Sequence, residues 1–537
     1  NGTISPSGAV TVNPGSSQLF VITPAAGYHV ASILVDGAPV GMLNSYTFTS
    51  VNASHTINAT FVSGHTTTLL FDQSAYPGDV WLQIQDPIND FQATYANGTK
   101  SFDFTYNGNK VEYSAPVKLS DIGAGGLEMT YGISAGFFVY YDDPTGISRT
   151  IGPDYHTTIQ RFMPLEMTMT GGSGDQGDVT AINWFSAPLG IRSYANNPFT
   201  NSGEPVLQQT GFKASAAAIG AQLALASGNN SLAVVKDAHG NIIRYIGPSS
   251  YNGTNPWPSF IPYTKSINKA GQSTIIQSNP QGFYFNADPT PVYNFGSNMT
   301  ATANADGSLT VTGAITATMT GTIKPGNPAL PTGGQWTNAT ISFSVSDPDA
   351  FNNAIYGQNP NSATPTSGTG WTNFQSFLQN TLLDPTKPHD PTTNPSLFDT
   401  GAAQAPPYNT AYVNFVGEVS TGLLGGFFNS SVASNYPPDN GAALKNVPSN
   451  HWWLQNPIMA FSEIQPVLPY YNIYAETIFN ESHNTVYGVP FSDRFGKGPL
   501  VNSVIYNGKN VNYWVIGVGA PLPSSIPPPG MPLLLGN

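Results

Sequence analysis

Most of this chain alternates polar and apolar residues in short runs cut by glycine-rich turns. The stretch PLEMTMTGGSGDQGDVTAINWFSAPLG, residues 164–190, shows the pattern well. Strict alternation is the signature of half-buried β-strands, because successive side chains point to opposite faces. Leu165, Met167 and Met169 therefore share one face, and Glu166 and Thr168 take the other. A carboxylate at such a position stands out, since only 9% of the 537 residues are charged, against about 25% in ordinary globular proteins. Its plain reading is a solvated residue on the polar face of a strand. The alternative is chemistry, which would need a second carboxylate nearby.

Composition narrows the class. Glycine (55) and proline (46) are abundant and aromatic residues make up 12%, as in turn-rich β architecture. The net charge is −13 and no basic stripe runs along any segment, which argues against nucleic acid as a partner. There is no cysteine, so disulfides, thiolate metal sites and cysteine nucleophiles are excluded. No hydrophobic run reaches the length of a membrane-spanning helix. Asn-X-Ser/Thr triplets such as Asn52-Ala-Ser and Asn480-Glu-Ser are frequent, as chance gives in a chain so rich in Asn, Ser and Thr, whereas few Lys and Glu with many Asn, Thr and Tyr favour an extracellular or cell-surface protein. No His/Asp/Glu group has metal-ligand spacing, and no cofactor motif is present, so no metal and no cofactor are expected.

Four units are expected along the chain. Residues 1–63 hold the alternating runs AVTV, QLFVIT, ASILVDG and HTINATFV, with turns at Pro14-Gly15 and Asp36-Gly37. This segment resembles the small β-repeat modules of bacterial and archaeal surface proteins, which act as spacers or adhesive elements. Residues 66–205 read as strands only and form a β-rich lobe. Residues 206–518 form a mixed α/β lobe: the first helix is expected at Ala214–Ser227, and others at Pro348–Tyr356 and Trp371–Leu383. Residues 519–537 form a proline-rich arm, which either lies over the surface or docks on a neighbouring subunit.

Three segments carry a likeness to a known family: GGLEMTYGISAGFFVYY (125–141), LEMTM with AINWFSAPL, and NIYAETIFNESHNTVYGVPFSDRFGKG (472–498). In this order they resemble the family 64 glycoside hydrolases, β-1,3-glucanases of the thaumatin-like superfamily. The resemblance covers about residues 66–518. It implies a mainly β fold, a barrel-like lobe facing an α/β lobe across a groove, and a neutral polysaccharide such as β-glucan as partner. It also implies that Glu166 is a catalytic carboxylate with Thr168 beside it, and it places the family's Asp on Asn183, next to Trp184. In the third motif Tyr487 and Asp493 match, while Ser492 stands where the family has an acidic residue.

An amide cannot act as a general base, so the Asn183 position leaves the second carboxylate open. Asp175 and Asp178, in the glycine-rich segment after Glu166, are the candidates for a displaced base. Ordinary turn chemistry explains an Asp beside Gly equally well. Trp452 and Trp453 are either sugar-stacking platforms or core contacts between lobes. Two functions remain: a secreted glycan-active enzyme resembling an inverting β-1,3-glucanase, with catalysis weakened or lost at Asn183, or a non-catalytic surface or filament-forming protein on the same fold. The second reading includes self-association through the N-terminal module or the C-terminal arm.

Overall fold

The structure is a computed structural model. It describes the chain except residues 26, 96–101, 108–109, 252, 272, 285–290, 320–334, 343–351, 354, 357–385, 389–409, 467–469, 490–499, 520 and 523–537. The helix expected at 371–383 and nearly all of the 519–537 arm lie outside the described residues.

The N-terminal residues form two three-stranded sheets. One is built from Gly2–Ser5, Gln18–Pro24 and Ser45–Phe48, the other from Tyr28–Val35, Ala38–Gly41 and Ile57–Ser63. Ile22, Val30, Ile33, Val35 and Phe48 give them a core of their own. Three of the four alternating runs become strands. The fourth, AVTV (Ala9–Val12), enters no sheet. The backbone N–H of Val30 donates to Gln92 Oε1 at 2.8 Å, and the His29 ring stacks on Tyr131 at 5.3 Å, so these sheets abut the next part of the chain.

That next part is a mainly β, nearly closed barrel-like sheet of thirteen strands. Its organising element is the long strand Leu127–Tyr140. Residues 127–131 pair with Thr67–Asp72 on one edge and Gln92–Tyr95 on the other, whereas residues 136–140 pair with Trp81–Gln85 and Phe162–Met169. The strand changes neighbours at an irregularity between Gly132 and Ala135, where Ser134 takes a left-handed backbone (φ 50°). Such a bulge bends a strand and lets one element serve two sheets. Tyr513–Val518 pairs in parallel with Thr67–Asp72 and antiparallel with Leu189–Tyr194. The alternation seen in the sequence is realised here: Leu165, Met167 and Met169 are buried in the interior and Glu166 is exposed.

Helices come mainly later. Ala216–Ala226 is capped by Ser215, whose side chain accepts from the Ala218 N–H, and Ile473–Ser482 is capped in the same way by Asn472. One short helix, Leu119–Ile122, precedes them in the segment expected to hold strands alone. With only four residues, it carries too little periodicity to be legible in sequence. Four antiparallel strands, Ser273–Tyr284, Pro291–Ala303, Leu309–Met319 and Gln335–Ser342, form a separate sheet.

Candidate active site: a carboxylate row on the barrel surface

Antiparallel register places Glu166 directly opposite two residues. On one side is Gly136 of the long strand, which in turn faces Gln85. On the other is Asp178 of the Gln176–Val179 strand. Directly paired residues project to the same face, with Cβ atoms about 4.5–5.5 Å apart. The face is fixed by burial, since Leu165, Met167, Gly177 and Val179 on either side of the two acids are buried. Gln85, Gly136, Glu166 and Asp178 thus form one row across four strands, Glu166 exposed and Asp178 half-buried.

Gly136 shapes the row. A Cβ there would stand 3.1 Å from Gln85 Oε1 and 3.3 Å from Gln85 Cβ. The glycine therefore leaves a notch between an amide and a carboxylate, partly occupied by the amide. Thr168, the next residue on the Glu166 face, accepts at its Oγ1 from the Ser134 N–H at 3.1 Å, which ties the bend to the site strand. Ile133 N–H donates to the buried carboxylate of Asp90 at 3.1 Å. Burial pushes the Asp90 carboxyl up to about 7 and the nearby Asp86 carboxylate adds to the effect, against the pull of the Ile133 bond. Beyond Asp178, Thr180 bridges in parallel to Tyr487. The Tyr487 N–H donates to Val179 O at 3.1 Å and the Ala181 N–H to Tyr487 O at 2.8 Å. The second and third motifs are therefore neighbours in space, although Tyr487 itself is buried.

Several expected positions are corrected. Asn183 does not lie on a strand beside Glu166; it sits in a bend past the end of the Gln176–Val179 strand. Its Oδ1 accepts from Ser249 Oγ at 2.8 Å, and its carbonyl accepts from the Gly247 N–H and Ser250 Oγ. The hairpin after Glu166 is shorter than the motif spacing suggests, so the strand returns to the site at Asp178 and has ended by residue 183. Trp184 is a core residue, stacked on Tyr155 at 5.1 Å with Nε1 donating to Phe162 O. Trp452 is fully buried against Phe427, and Trp453 is half-buried beside the same ring. Neither Trp184 nor Trp452 offers a ring face to a sugar. Asp493 lies outside the described residues.

Asp175 is a loop former. Its carboxylate accepts from the Thr170 hydroxyl and from the backbone N–H groups of Thr170, Gly171 and Gly172, closing the glycine-rich turn that precedes it. Two members of the row, Gln85 and Gly136, were not singled out in the sequence. Gly136 lies within the GISAGFF segment, but nothing local in a sequence says which residue of a distant strand a glycine will face.

No protein-family model matches the chain, and no curated protein matches it. Solved structures do. The fold is similar to that of a β-1,3-glucanase domain of glycoside hydrolase family 64 from Clostridium beijerinckii, at 12% identity and a TM-score of 0.42, covering 85% of this chain and 98% of that one. It is also similar to a laminaripentaose-producing β-1,3-glucanase determined with laminaritetraose, at 12% identity and a TM-score of 0.41, covering 84% and 97% of the two chains.

Proposed function

We propose that the chain is a glycoside hydrolase acting on β-1,3-linked glucan, with Glu166 as proton donor and Asp178 as its partner carboxylate. The observation that carries this reading is the register that sets the two acids opposite each other on an outward face of the barrel. Glycoside hydrolysis needs two carboxyl groups flanking the scissile bond, about 6.5–9.5 Å apart when water attacks directly and about 5–5.5 Å apart when the second is the nucleophile. Glutamate is one methylene longer than aspartate, and side chains rising from one row can diverge to either spacing. The motif resemblance favours inversion, with Asp178 activating water. The Gly136 notch and the Gln85 amide would hold a sugar hydroxyl beside the acid. Secretion to an extracellular site accords with the composition.

The test is release of reducing ends from laminarin, with the product anomer followed by proton NMR. Inversion gives the α-anomer from a β-linkage at first turnover. Initial release of the β-anomer would make Asp178 a nucleophile, and no release at all would remove the hydrolase reading. The self-assembling part of the alternative reading is favoured by a separate observation, an open sheet edge in the N-terminal module.

A further inference from the structure

One sheet of the N-terminal module is incomplete. Strand Gln18–Pro24 pairs with Ser45–Phe48 from Gln18 to Val21, but on its other edge Gly2–Ser5 covers only Val21–Pro24. Among the described residues no strand lies beside Gln18, Leu19 and Phe20 on that side. The Ile22 N–H donates to Asn44 O on the Ser45–Phe48 side. Antiparallel bonding alternates every second residue, so the N–H and C=O of Leu19 face the open edge. The Leu19 carbonyl accepts from the side-chain amide of Gln18 at 2.7 Å, a local substitute for a strand partner.

Past Ser5 the chain leaves the sheet, and Ala9–Val12 runs free of any ladder. Val10 and Val12 are half-buried and Ala9 and Thr11 exposed, which is the alternation of a strand. Between this segment and the open edge lies a cavity of about 690 Å³ whose lining is mixed, with Val10, Val12, Phe20 and Phe48 beside Gln18 and His55. Gln18 and Phe20, on either side of the open Leu19 backbone, both line it, so a free ladder edge adjoins a partly apolar cavity, the two components of recognition by strand addition.

We propose that this gap receives residues 523–537 of a second copy of the chain. That segment, PSSIPPPGMPLLLGN, has no charged side chain and contains three consecutive leucines, which suit the Val10, Val12, Phe20 and Phe48 part of the cavity. Its fifteen residues reach up to about 50 Å when extended. The two partners sit at opposite ends of the barrel. Thr67–Asp72 and Tyr513–Val518 run in parallel, Thr68 beside Tyr513 and Asp72 beside Gly517. The module joins at the Thr67 end, where His65 Nε2 bonds Val511 O at 2.9 Å. Leu522, the last described residue, lies at the other end, where its N–H donates to Phe212 O at 2.7 Å. A contact from the tail of one copy to the head of the next is heterologous, so repetition gives a ring where the rotation closes and a filament where it does not. The inference is independent of the hydrolase reading and survives its failure.

The test is the mass of the full chain by light scattering over a concentration series. Wild type is expected to grow with concentration, and a synthetic peptide of residues 523–537 to shorten the assemblies. A full chain carrying Leu533→Asp and Leu535→Asp is expected to stay monomeric with its urea midpoint unchanged. Val10→Asp is expected to do the same from the receiving side. Wild type that is monomeric at every concentration, assemblies that persist in the leucine variant, or indifference to the peptide would each overturn the proposal.

Discussion

Glu166 and Asp178 acquire their importance from each other rather than from their own surroundings. Each is an acid at a polar position of a strand, a commonplace in sequence; opposed across one ladder step, they are a pair. Asn183 acts differently. With its Oδ1 held by Ser249 Oγ and its carbonyl by two donors, it fixes a bend. Asn183→Asp retains the acceptor and adds a charge outside the row, so turnover on laminarin is expected to stay near wild type. A rise of tenfold or more in that assay would return the general base to position 183. Which acids matter was half legible. The strand periodicity around Glu166 identified its face, but the motif spacing pointed to 183, because a hairpin's length is set by its turn and the Asp175 carboxylate tightens this one.

Among the elements, the bent strand Leu127–Tyr140 does most to place the site. Its alternation was legible, and so was that of the strands it pairs with, because burial of one face imposes a period of two. The register was not, since it depends on the irregularity at Gly132–Ala135 and on partners tens of residues away. Gly136 is the sensitive position. Gly136→Val would push a branched side chain against Gln85 and fill the notch beside Glu166. The expected cost to stability is about 1–3 kcal/mol, with glycan affinity falling by a larger factor than the shift in unfolding midpoint would suggest. Calorimetric titration with a laminari-oligosaccharide beside a urea melt checks both. Unchanged affinity would mean that the notch holds no sugar. The bend itself can be tested with Ser134→Gly, which removes the left-handed strain and is expected to raise stability by roughly 0.4–1 kcal/mol or leave it unchanged.

For the molecule as a whole, buried acids dominate the pH response. Burial raises Asp90 to about 7 and Glu418 to about 8, and also raises Asp86. A carboxyl whose folded pKa exceeds its unfolded value holds a proton that the unfolded chain has already released between about pH 4 and the folded pKa. Stability therefore falls as pH rises through that window and levels off above about pH 8. His29, lowered by burial, opposes this only below about pH 6.5, where it resists protonation. The melting temperature is expected to be higher at pH 6 than at pH 8.5, and Asp90→Asn with Glu418→Gln to flatten the difference. A melting temperature that rises with pH in the wild type would contradict these assignments. None of the three acids belongs to the row, so the carboxylate pair can be examined at fixed pH without confusing stability with chemistry. The most direct measurement is kcat/KM on laminarin for wild type, Glu166→Gln and Asp178→Asn, with folding verified by the urea midpoint. Each substitution is expected to lower the rate by roughly 10²–10⁴-fold, the usual share of general acid–base assistance. An Asp178→Asn enzyme that turns over like wild type would contradict the account.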